Sequence, residues 1–106
     1  MIECIIAYHG EMKRPESPEE GKSQMDAWHA WLDKLGDALV NPGSPLGKSR
    51  IVDADGVSED DWSNQMFGFT IVRADSLDAA IEMAQGCPVI EQGGRLRVAE
   101  LKDMGV

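Results

Sequence analysis

The sequence predicts one α+β domain in which two helices cover one face of an antiparallel sheet, and three observations predict it. Residues 2–8 and 66–73 are runs of strand character, rich in β-branched and aromatic residues with alternate positions on opposite faces. Residues 23–35 and 77–85 carry apolar side chains at spacings of three and four, the mark of an amphipathic helix. A short strand at 38–40 and a final alternation around Leu96 and Val98 complete the order β-α-β-β-α-β, the split βαβ plan. A chain of 106 residues has room for one core, so residues 1–106 are read as a single domain.

The first strand sets Ile2, Cys4, Ile6 and Tyr8 on one face and Glu3, Ile5, Ala7 and His9 on the other, and both faces are largely apolar. Such a strand is covered on both sides. Residues 10–21, with their Pro, Glu, Lys and Ser, read as a surface loop. The first helix then follows with Met25, Trp28, Trp31, Leu32 and Leu35 in one stripe, and Gly36 stops it. Two prolines and two glycines in residues 41–47 make a stiff, shaped loop. Asp53-Ala54-Asp55-Gly56 predicts a tight hairpin turn between Ile51-Val52 and Val57. In the strand at 66–73, Phe67, Phe69 and Ile71 share a face opposite Gly68, Thr70 and Val72. Asp75 or Ser76 caps the second helix, whose inner stripe is Leu77, Ala80, Ile81 and Ala84, and Gly86 and Pro88 end it.

The formal charge of -9, from 19 acids against 10 bases, repels phosphate backbones and argues against nucleic acid and anionic membranes as partners. No stretch approaches the roughly 20 apolar residues that cross a bilayer. Cys4 and Cys87 are isolated thiols without a CxxC spacing, which fits a reducing, cytoplasmic setting. Two histidines without ligand-spaced partners give no metal site, and no glycine-rich loop opens a helix to hold a nucleotide. No cofactor is expected.

The segments 36–43 (GDALVNPG), 74–80 (ADSLDAA) and 86–88 (GCP), with Gly93-Gly94 leading into Val98 and Glu100, together resemble the YCII-related family, including its DGPF branch. The resemblance implies a ferredoxin-like fold, a homodimer with facing sheets forming a dimeric α+β barrel, and a cavity near the junction of helices and sheet. Family members carry a proposed histidine–aspartate pair, with the histidine near the start of the first helix. Counted back from Gly36, that place falls near Met25 or Asp26, and His29 lies one turn later.

Chemistry therefore has few candidates. His29, at the edge of the helical stripe with Asp26 and Asp33 within a turn, is a candidate general base, or else a boundary histidine in a surface contact. His9, at the end of the first strand, is the second candidate, facing a barrel cavity or solvent. Trp28 and Trp31 are candidate walls of an apolar site, or core packing. Trp62 is placed over a pocket or against a partner. The loop 41–49 offers Asn41, Ser44 and Ser49 to a small polar ligand, or its glycines and prolines only shape a turn. Cys87, at a helix C-terminus where the dipole disfavours a thiolate, is not expected to be a nucleophile. Two functions stay open: a small cofactor-free enzyme using a histidine beside an apolar pocket, and a non-catalytic module holding a small ligand or a partner protein.

Overall fold

The computed structural model describes residues 1–11, 14–61 and 64–102. Four strands, β1 (Ile2–His9), β2 (Leu39–Asn41), β5 (Met66–Ala74) and β6 (Arg95–Glu100), form an antiparallel sheet in the order β2-β5-β1-β6. Two helices, α1 (Pro18–Leu35) and α2 (Leu77–Gln85), pack against it, giving the ferredoxin-like arrangement. A separate two-stranded ribbon, β3 (Arg50–Asp53) and β4 (Gly56–Glu59), is inserted between β2 and β5. Its turn is the Asp-Gly hairpin expected at residues 53–56, with Val52 opposite Val57.

The core lies between sheet and helices. Cys4, Ile6 and Tyr8 of β1 face Val72, Thr70 and Gly68 of β5 in register, and Trp31, Ala80 and Ala84 close the layer from the helices. Burying such side chains stabilises the fold by about 1.5–3 kcal/mol each for the larger ones. The other face of the sheet presents Ile5, Phe69 and Ile71, each half-buried.

Three expectations change. Helix α1 starts at Pro18, five residues before the expected start at Ser23, because Ser17 caps it and proline suits the first helical position. The Ser17 hydroxyl accepts from the Glu20 N–H (3.1 Å), while the Glu20 carboxylate accepts from the Glu16 N–H (3.1 Å). The loop expected at 10–21 is thus shorter. Phe67 does not share the face of Phe69: the register with β1 skips it between the pairs His9–Met66 and Tyr8–Gly68, and this bulge turns its ring toward Tyr8. On α2, Ile81 is 37% exposed while Met83 packs against the core. Ser76 is the cap, its hydroxyl accepting from the Ala79 N–H.

Candidate functional site

A partly open cavity of about 640 Å³ lies where α1 meets the loop after β2 and one end of the sheet. That volume is in the range of small-molecule sites. Met25 and Trp28 wall it from α1, Pro42, Gly43 and Pro45 from the loop, and Pro88 and Val89 from the turn after α2. Tyr8, Phe67, Gly68 and Phe69 supply the sheet side. No Asp, Glu, Lys, Arg or His is among the described lining residues, and the polar side chains at the wall are Tyr8, Gln24, Ser44 and Gln92.

Local sequence fixes this shape. The Asn41 side chain accepts from the Gly43 N–H (2.8 Å), closing a tight turn, and Gly43 takes φ +80°, a conformation that favours glycine. Its bare Cα lets the chain pass the Phe69 carbonyl, where a Cβ would stand 1.6 Å from the oxygen. The loop is then sewn to β5: Pro45 bridges Gly68, and the Leu46 N–H donates to Phe67 O (2.8 Å). Beside it runs a buried polar line. The Tyr8 hydroxyl donates to Thr70 Oγ1, which donates to Pro42 O (3.0 Å). The Cys87 thiol is within hydrogen-bonding reach of the same Tyr8 oxygen.

Burial keeps these groups neutral. It pushes the Tyr8 hydroxyl far above its ordinary value, opposed in part by the Thr70 bond. It also pushes the Cys87 thiol from 9.0 up to about 11. Between those two values the unfolded chain releases a thiol proton that the folded chain keeps. Stability is therefore full below pH 9.0 and falls as the pH rises toward about 11, with Tyr8 adding to the fall above pH 10. Denaturant midpoints measured across this window should decline in the native protein and decline less steeply in Cys87→Ala. An equal slope in both would remove Cys87 as the cause.

The residues singled out from sequence separate here. Trp28 and Ser44 line the cavity. Trp31 is buried behind Trp28, ring centroids 5.3 Å apart, with its indole N–H donating to Met83 O (3.0 Å). Asn41 shapes the loop and is not at the wall. Ser49 donates to Asp60 in a smaller polar cleft of about 270 Å³ that also touches Lys48, Arg50 and Glu59. His29 is exposed and His9 half-buried, its Nδ1 3.0 Å from Asn64 O; neither lines the cavity. Trp62 lies outside the described residues. Among the described residues no group of three His, Cys, Asp or Glu side chains is placed to hold a metal, and no helix is long and apolar enough to cross a membrane.

Tyr8, Phe67, Gly68 and Val89 are site residues that sequence reasoning missed. Tyr8 carried a signal: a buried tyrosine needs a partner for its hydroxyl, and Thr70 is the polar residue on the inner face of the neighbouring strand.

Comparison with solved structures gives a 5-chloro-2-hydroxyhydroquinone dehydrochlorinase from Burkholderia phenoliruptrix, in complex with 2,5-dihydroxybenzoquinone. It aligns at 21% identity over 92% of this chain and 93% of its own, with a TM-score of 0.51. At that identity the likeness is one of fold. A search of curated proteins finds no match. The family model of the YCII-related domain matches residues 1–104, nearly the whole chain, and the protein belongs to the YCII-related family.

Proposed function

We propose that this protein binds a small, uncharged, planar ring compound in the cavity beside Trp28. The observation that carries this reading is the wall itself: aromatic rings, prolines and aliphatic groups, with four neutral polar side chains and no ionised one among its described residues. An anionic ligand would find no counter-charge in that wall and a molecule of net charge -9 around it. Gln24, Ser44 and Gln92 suit the orientation of a hydroxyl or carbonyl on the ring. The ligand of the structural neighbour, 2,5-dihydroxybenzoquinone, is likewise a small planar ring, although its acidic enolic hydroxyls make it an anion at neutral pH.

The histidine-driven enzyme is the less supported reading, because His9 and His29 stand outside the cavity. It keeps one argument, that the neighbour is a dehydrochlorinase. We take the protein to work as a homodimer, which would give the apolar outer face of the sheet a cover.

Isothermal titration with hydroquinone and with benzoate tests the proposal. Hydroquinone should bind and benzoate should not, and Trp28→Ala should weaken hydroquinone by at least about tenfold, or about 1.4 kcal/mol. His9→Ala and His29→Ala should leave binding unchanged. Equal binding of benzoate, or dependence on a histidine in place of Trp28, would overturn the reading.

A further inference from the structure

The walls of the cavity come from separate elements, and one buried hydrogen-bonded line ties them together. It runs from the Tyr8 hydroxyl of β1 through Thr70 of β5 to the Pro42 carbonyl of the loop. Its direction is fixed. Thr70 Oγ1 has one proton, which goes to Pro42 O (3.0 Å), so the Tyr8 hydroxyl can only donate to Thr70. Thr70 is fully buried and Tyr8 is 4% exposed, so neither hydroxyl has water as a substitute partner.

Both ends of the line are wall residues. At one end the Tyr8 ring meets Trp28 edge-on, centroids 5.6 Å apart, and lies beside Phe67 at 6.1 Å, which makes it the hub of the aromatic side. The ring has no room to retreat toward the sheet, since even a Cβ on Gly68 would stand 3.1 Å from its Cδ2. At the other end Pro42 has no N–H, and its carbonyl is the one backbone group by which that residue can be tied. The far end of the loop is pinned separately, by the Leu46 N–H on Phe67 O (2.8 Å). Thr70 thus joins the loop to the aromatic side without itself lining the cavity.

We propose that the Tyr8–Thr70–Pro42 line is a positioning device that sets the gap between the aromatic side of the cavity and its proline loop, and so selects a single ring over a fused pair of rings. This rests on the reading that the cavity takes up an uncharged ring. A volume of about 640 Å³ is in the range that accepts ligands larger than one ring, so the spacing of the two sides, not the volume, does the discriminating.

Isothermal titration of the native protein and its variants with hydroquinone and with a dihydroxynaphthalene tests it. The native protein should favour hydroquinone. Thr70→Val keeps the shape of the side chain and breaks both bonds; hydroquinone should weaken by at least about tenfold while the fused ring pair binds no worse. Thr70→Ser, which keeps the hydroxyl, should recover most of the selectivity. Tyr8→Phe keeps the ring and should shift the ratio in the same direction, and adding it to Thr70→Val should change little more, because both break one line. A loss of stability alone lowers the folded fraction and scales both ligands alike. Should Thr70→Val fail to fold, Tyr8→Phe carries the comparison. Native binding of hydroquinone with an unchanged ratio in Thr70→Val and Tyr8→Phe would overturn the role of the line and leave the reading of the cavity standing; binding of neither ring by the native chain would overturn both.

Discussion

Gly43→Ala should both destabilise the protein and abolish its binding of hydroquinone. The glycine takes φ +80°, and a non-glycine residue in such a conformation costs on the order of 1–3 kcal/mol. The second term is larger. A Cβ at this position would sit 1.6 Å from the Phe69 carbonyl oxygen, a backbone atom in the sheet, so the loop itself has to move. Moving it breaks the Thr70–Pro42 and Leu46–Phe67 hydrogen bonds and withdraws Pro42, Ser44 and Pro45 from the cavity wall. Urea denaturation should show a loss of at least about 2 kcal/mol, and titration should show no hydroquinone binding to the folded fraction. A variant as stable as the native chain that binds normally would mean that the loop is not held against β5 as described.

Trp31→Ala should be the most destabilising single change. The indole is 5% exposed, packs on Trp28 and on the turn at Gly86, and satisfies the Met83 carbonyl. Truncating a buried tryptophan costs about 3–5 kcal/mol. A domain of this size has a total stability of about 5–15 kcal/mol, so the variant sits near the unfolding threshold. Trp31→Phe separates packing from hydrogen bonding: it keeps most of the ring and removes one of the two donors to Met83 O, the Gly86 N–H (3.3 Å) remaining, for about 0.5–1.5 kcal/mol. Urea midpoints of the two variants check the ordering. If Trp31→Ala lost less than Trp31→Phe, the buried placement of this ring would be contradicted.

Much of the fold was legible because its signals are local. The strand at β1, the Asp-Gly turn of the ribbon and the cap at Ser76 each depend on residues within a few positions of one another. The start of α1 was legible in principle, since Ser17-Pro18-Glu19-Glu20 is a cap followed by a first-turn proline and two acids. The apolar stripe, which starts later, drew attention past it. The bulge at Phe67 could not be read that way. Strand alternation puts Phe67 with Phe69, and only pairing with β1 shows that the register skips a residue.

The cavity illustrates the same limit. Trp28 and Trp31 look alike in sequence, three positions apart on one stripe. Their fates differ because α2 and Met83 lie over one and the proline loop faces the other, which is long-range information. Asn41 and Ser44 were singled out as polar groups of one loop, yet the first is consumed by the turn that presents the second. His29 was attractive for its chemistry and its neighbouring acids, but chemistry at a site needs concave surroundings, and position 29 faces solvent.

The central claim is that the wall around Trp28 takes up an uncharged ring, and amide chemical-shift mapping during a hydroquinone titration tests it most directly. The account predicts saturable shifts at Ser44, Gly68, Phe69 and Val89 together with the Trp28 indole N–H, while His29 and the β3–β4 ribbon stay still. Shifts centred on His29, on the Ser49–Asp60 cleft or on no single surface would contradict it.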